Sequence, residues 1–104
     1  MSLNDVQHQT HKWISQFKEG YWQPHEILAR LTEEVGELAR EINHRFGPKI
    51  KKATEDTNEI GDEIADIIFT LSCLANSLNI DLDESFKRTI SKSYSRDNQR
   101  FEKK

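Results

Sequence analysis

Glu33, Glu34 and Glu37 place three carboxylates within five positions of an otherwise amphipathic stretch, Leu31 to Leu38. A second acidic group, Glu59, Asp62, Glu63 and Asp66, follows in the next apolar segment. As a pattern this is Glu33-Glu34-x-x-Glu37, a gap of 25 residues, then Glu63-x-x-Asp66. A spacing of three puts both acids of each half on one helix face, about a turn apart. Two such faces brought together aim four carboxylates at a common point. Left alone they repel one another, and partial burial raises their pKa values. A divalent cation removes that cost, and all-oxygen ligation without Cys or His favours Mg²⁺, with Mn²⁺ as a substitute. A di-iron site of the bundle type needs Glu-x-x-His pairs, which are missing from this set.

Helices must carry these groups. The first is expected from about Asn4 to Phe17, capped by Asn4 or Ser2, with Val6, Trp13, Ile14 and Phe17 as its apolar contacts. An aromatic-rich break, Glu19 to Pro24, follows. Gly20 suits a helix C-terminus and Pro24 the first turn of the next helix. The second helix runs from about Pro24 to Phe46 and stops at Gly47-Pro48. At about 100° per residue, Ile27, Leu28, Leu31, Val35, Leu38 and Ile42 form its apolar stripe. Glu34, Glu37 and Glu41 edge that stripe near Arg30, and Glu33 points towards solvent.

A basic loop from Lys49 to about Asp56 leads to a third helix, about Asn58 to Leu78, capped by Asp56 or Thr57. Its stripe is Ile60, Ile64, Ile67, Ile68, Leu71, Leu74, Ala75 and Leu78. Glu59, Glu63, Asp66 and Thr70 share one flank, and Asp62 lies opposite. After a turn at Asn79 to Asp83, a fourth helix from about Glu84 to Gln99 carries Phe86, Ile90 and Tyr94, with Asp81 and Asp83 as capping candidates. Gly36 and Gly61 sit within the acidic motifs, where glycine costs about 1 kcal/mol relative to alanine. Close helix approach and incidental tolerance both account for them. With no strand signal, the expected fold is all-α, a helical bundle of about four helices forming one domain over residues 1–104.

The totals set limits. With 35% apolar and 32% charged residues, a core inside one copy is modest, which favours self-association of long helices. A net charge of −3 argues against a general nucleic-acid binder. The single Cys73 cannot form an internal disulfide and suits a reducing compartment. No signal-peptide pattern opens the chain, and Ile64 to Ala75 is too short to span a bilayer and contains Asp66. A cytoplasmic protein without a membrane partner is expected.

The two motifs, with LTEEVGELAREI (Leu31 to Ile42) and GDEIADIIFTLSCLAN (Gly61 to Asn76) around them, resemble the MazG-like all-α nucleoside triphosphate pyrophosphohydrolases. The resemblance covers about Tyr21 to Phe101 and is closest to the short, single-domain Bacillus YpjD-type members. It implies Mg²⁺-dependent hydrolysis of a (d)NTP between the α and β phosphates, giving the monophosphate and pyrophosphate, for nucleotide-pool house-cleaning. It implies Glu34, Glu37, Glu63 and Asp66 as metal ligands. Glu33 and Glu34 are the expected catalytic pair, with Glu33 supporting the ligands or orienting the attacking water. It also implies a homodimer or dimer of dimers, in which the fourth helix completes a neighbour's site. A phosphoribosyl-ATP hydrolase is a poorer match within the class.

The leaving phosphates need cations. Arg88, Lys92, Arg96 and Arg100 lie on one face of the fourth helix, and Lys92 and Arg96 are the first choices for phosphate contacts. Their alternative is a solvated basic stripe, and Lys49, Lys51 and Lys52 could assist from the loop. Trp13, Tyr21 and Trp22 offer stacking surfaces or packing, with Trp22 the chosen substrate contact and His25 at the same turn. The competing reading from another class is a non-catalytic helical interaction module that keeps the metal-binding bundle.

Overall fold

The computed structural model describes residues 1–48 and 59–104. Four helices account for its regular structure: α1 (Leu3–Ile14), α2 (Pro24–Phe46), α3 (Ile60–Ser77) and α4 (Leu82–Arg96). No strand occurs among the described residues. The basic loop Lys49 to Asp56 and the capping candidate Thr57 lie outside them.

The caps explain most of the boundaries. Ser2, not Asn4, starts α1. Its hydroxyl accepts from Asp5 N–H at 3.0 Å while Asp5 Oδ2 accepts from Ser2 N–H at 2.9 Å. The helix ends at Ile14, three residues short of Phe17, in a run of turns that includes Gly20 at φ 70°, where a side chain would be strained. α2 begins with Pro24 in its first turn, and the Gln23 N–H donates to Glu26 Oε1 at 3.0 Å. α3 starts at Ile60 with Glu59 at the cap position, and the expected start, Asn58, lies outside the described residues. Asp81 caps α4 by accepting from Glu84 N–H at 3.1 Å, so α4 opens at Leu82 and stops at Arg96, before Gln99. Asp83 does something else. Its two oxygens accept from Leu3 N–H at 3.0 Å and Asn4 N–H at 3.3 Å, tying α4 to the open amides of α1.

α2 packs along α3, and α1 crosses both α3 and α4. Ile27 and Ala75 of the expected apolar stripes are buried, but most of the rest of the buried positions are polar. On α2 the buried residues are Ile27, Glu34 and Glu41, and on α3 they include Glu63 and Thr70. Glu34 and Glu63 are each 3% exposed, whereas Leu28 is 57% and Val35 48% exposed. Ile42, Ile64, Ile68, Leu71 and Leu78 also remain open. Each apolar stripe is about 100° wide, and one neighbouring helix covers only part of that arc. Here α2 and α3 meet through its acid-bearing edge, leaving the remaining apolar arc on the outside.

Of the contacts expected for the first helix, Trp13 on α1 and Phe17 beyond its end are about half exposed, and the buried positions on α1 are Gln7 and Thr10. Gly36 and Gly61 have open space where a Cβ would sit, so close helix approach within the chain does not account for them.

The chain is correspondingly spread out. Its radius of gyration is 17.3 Å, against about 13 Å for a compact domain of this length. Its accessible surface is 8498 Å², where a compact monomer of this mass has about 6,100 Å². No single helix among the described residues is long and apolar enough to cross a membrane; α3 and α4 reach that length only together, across a bend of 109°.

Candidate active site

Where α2 and α3 face each other, Glu34, Glu37 and Glu63 each bring a carboxylate oxygen within 4.8 Å of the others. Glu34 and Glu63 are buried and Glu37 is exposed, so the group has a dry back and an open front. The local reason is helical register. Glu34 and Glu37 share a face of α2 by their spacing of three, and Glu63, in the first turn of α3, is held opposite by the packing of the two helices.

Glu34 is the centre of this arrangement. Its Oε1 accepts from Arg30 Nε at 2.8 Å, one turn back on α2, while Arg30 also reaches Glu33 Oε2 at 3.6 Å. Its Oε2 is buried with no hydrogen-bond partner among the described residues. Burial drives the Glu34 carboxyl above its ordinary pKa. Arg30 opposes that rise, and the charges of Glu37, Asp66 and Glu33 add to it. A buried carboxylate oxygen without a donor, repelled by three acids, fits a bound divalent cation. The donor set is all oxygen, as Mg²⁺ requires.

Asp66 stands apart from the trio. It is exposed on α3, close enough for its charge to act on Glu34, and it shares with Glu34 the wall of a cavity of about 550 Å³. Ile14 and Phe17 at the end of α1 form part of that wall. The connecting residues Glu19 to Trp22, then Ile27 and Arg30 of α2, and Phe69, Thr70 and Cys73 of α3 complete it. Of the trio only Glu34 reaches this wall, so Glu34 and Asp66 join the acids to an apolar and aromatic chamber large enough for a nucleoside-sized ligand. Thr70 donates its hydroxyl proton to the Asp66 carbonyl at 2.9 Å, leaving its oxygen lone pairs to the chamber. Burial pushes the Cys73 thiol up, which keeps it protonated and unreactive.

The other expected site residues are dispersed. Trp22 lines the cavity and is about half exposed. Glu33 is off the wall, facing solvent across Arg30. Lys92 and Arg96 are exposed on α4, which packs against α1, and neither borders the cavity. Trp13 packs edge-on against Phe17, with ring centroids 5.2 Å apart, and is not on the wall either. Arg30 is the one basic side chain on the wall among the described residues.

From the sequence Arg30 is only a neighbour of the acidic edge. Its position four residues before Glu34 was the available signal, since that spacing pairs charges on a helix. Tyr21, expected with Trp13 and Trp22 as a stacking or packing surface, is on the wall, whereas Phe69 and Cys73 carry no such signal in the sequence.

The family described as the MazG nucleotide pyrophosphohydrolase domain matches residues 23–101. The uncharacterised protein YpjD of Bacillus subtilis strain 168 is 52% identical over 103 residues, covering 99% of this chain and 93% of YpjD. A crystal structure of Bacillus subtilis YpjD superposes with a TM-score of 0.80 at 53% identity, covering 88% of this chain and 94% of that one. A crystal structure of the Bacillus-conserved MazG protein, a nucleotide pyrophosphohydrolase, gives a TM-score of 0.77 at 42% identity, covering 88% of each chain.

Proposed function

The chain belongs to the MazG nucleotide pyrophosphohydrolase family and is a hydrolase, and on that premise we propose that it splits a (d)NTP between the α and β phosphates. The observation that carries the reading is the Glu34–Glu37–Glu63 group opening, through Glu34 and Asp66, into a chamber with aromatic walls. Glu34, Glu37, Glu63 and Asp66 would hold Mg²⁺, with Mn²⁺ able to replace it. Bound there, the cation would neutralise the triphosphate and make the α-phosphorus more electrophilic.

The protein's own groups do the rest. Water forms a bond to the α-phosphorus and releases a proton to solvent, the bond from that phosphorus to the α–β bridging oxygen breaks, and pyrophosphate departs with the electron pair. Glu34 sits at the junction of acids and chamber, and Glu33, off the wall, supports it through Arg30, which pairs with both. Arg30 opposes negative charge at the chamber wall. Trp22 gives the base a stacking face. The apolar lining excludes competing water from the nucleoside.

Lys92 and Arg96 enter this reading through a second copy. The outer apolar arcs of α2 and α3 and the large accessible surface support a homodimer or a dimer of dimers. Within it the basic face of one α4 would reach a neighbour's phosphates. The reading also has the protein acting in the cytoplasm on unwanted nucleotides.

Incubation with Mg²⁺ and a panel of canonical and modified NTPs and dNTPs in ¹⁸O-labelled water tests the cleavage. Monophosphate carrying the label, with unlabelled pyrophosphate, is expected. Label in pyrophosphate overturns the point of attack, and diphosphate with phosphate overturns the bond cleaved.

A further inference from the structure

Tyr21 lies in the irregular connection between α1 and α2, one residue after the positive-φ Gly20, yet it is part of the chamber wall. Such a segment does not fix an aromatic ring by itself. The fixing comes from elsewhere. Asn76, near the end of α3, donates from Nδ2 to the Tyr21 hydroxyl at 3.0 Å. His11 of α1 lies under the ring, centroids 5.7 Å apart, with Nδ1 2.8 Å from the same hydroxyl. With Asn76 donating to the oxygen, the hydroxyl proton is free to go to His11 Nδ1.

Asn76 is itself locked. Its second Nδ2 proton goes to the Gln7 carbonyl at 2.9 Å, and its Oδ1 accepts from Gln7 Nε2 at 3.0 Å. The nearly buried Gln7 side chain also donates to the Ile80 carbonyl at 2.7 Å. It accepts from Leu82 N–H and from Asn4 Nδ2, each at 3.0 Å. One continuous hydrogen-bond chain thus runs from the seating of α1 on α3 and α4 to a wall of the chamber. None of its members belongs to the acidic group. An aspartate at position 76 could not replace the asparagine, because both Nδ2 protons are used.

We propose that Asn76 is a positioning residue for substrate selection: through the Tyr21 hydroxyl it sets the aromatic wall against which the nucleoside of the substrate rests. The inference rests on the reading of the chamber as the nucleoside site. Asn76 touches no substrate and acts through Tyr21, so its loss weakens nucleotide binding and leaves the phosphate chemistry alone.

Steady-state kinetics of Tyr21→Phe, Asn76→Ala, the double variant and Trp22→Ala, with the best nucleotide found for the parent enzyme, test this. Each of the first two should raise KM about 2- to 10-fold, the range of one neutral hydrogen bond, with kcat within about twofold of the parent. The double variant should raise KM no further than the larger single effect, because the two changes break one link. Unchanged KM in Tyr21→Phe, multiplied effects in the double variant, or a fall in kcat alone overturns the proposal. A purely structural role for Asn76 would lower the melting temperature without moving KM. If Asn76→Ala does not fold, Asn76→Ser and Tyr21→Phe carry the same test. Should Trp22→Ala raise KM while Tyr21→Phe does not, only this inference fails. Should neither move KM, the chamber is not the nucleoside site and both readings fall.

Discussion

Replacing Glu34 by glutamine should make the metal-free protein more stable while abolishing its response to Mg²⁺. The side chain keeps its shape and its Oε1 can still accept from Arg30 Nε, now 2.8 Å away. What is lost is a charge. Two carboxylate oxygens 4.8 Å apart, the limit within which the Glu34, Glu37 and Glu63 atoms lie, repel by about 1 kcal/mol in water and about 3.5 kcal/mol at an effective dielectric of about 20. Glu63 is buried and Glu37 exposed, so the two repulsions fall towards opposite ends of that range. Against their relief stands the charge in the Arg30 pair, whose arginine is half exposed and which contributes about 1 kcal/mol or less. The balance favours the glutamine, so the metal-free variant should melt above the parent, each kcal/mol of relief raising Tm by roughly 4–8 °C for a domain of this size.

Differential scanning calorimetry in chelator and across a Mg²⁺ series measures both effects. The parent should gain about 2.7 kcal/mol when Mg²⁺ reaches a hundred times its Kd, and Glu34→Gln should gain almost nothing and lose turnover. If the metal-free variant melts well below the parent, Glu34 is a stabilising partner and not a repelled ligand. If Mg²⁺ stabilises the two proteins equally, the cation site is elsewhere.

Other outcomes follow from the same geometry. The Glu34 carboxyl is raised in the folded protein above its ordinary value of 4.5, so the folded state holds the proton more tightly than the unfolded one. Metal-free stability should therefore be fully favoured below about pH 4.5 as far as this group is concerned, and its share should be lost as pH rises through the folded value. For the same reason protons compete with Mg²⁺, and calorimetric Mg²⁺ titrations should show weaker apparent binding as pH falls towards 5. Glu37→Ala should collapse turnover while the circular dichroism spectrum stays helical; near-normal rates with Mg²⁺ would remove Glu37 from the ligands. Neither Lys92 nor Arg96 borders the chamber of its own chain. Mixing an inactive Lys92→Ala/Arg96→Ala chain with an inactive Glu37→Gln chain should therefore restore activity in hybrid oligomers. No restoration would show that α4 does not serve a neighbour. Gly20→Ala should cost about 1 kcal/mol by thermal melting, because φ is 70° with open space around the Cβ.

Much was legible in the residues themselves. The spacing of Glu34 and Glu37 fixes their shared face whatever the helix packs against, since that depends only on 3.6 residues per turn. Pro24, Gly47 and Pro48 delimit α2 by local backbone chemistry, and the expected ends of that helix are the observed ones. Helix number and class follow from the same local rules.

Which arc of each helix is buried was a different matter. Apolar stripes predicted Val35 and Leu28 inside, and the fold buried Glu34 and Glu41, because a stripe states how much surface must be covered and not which neighbour covers it. The aromatic chamber and the Gln7–Asn76–Tyr21 chain link residues as far as 75 positions apart. Amides and hydroxyls are recruited to such networks by what packing happens to bring near them, and no periodicity marks that. The sequence by itself determined the acids, their register and the helices that carry them. Only the tertiary structure decided that Glu63 would stand opposite Glu34, that the group would open on a chamber, and what would hold that chamber's wall. Local geometry repeats at every turn of a helix, whereas the meeting of two helix faces is a property of the whole chain.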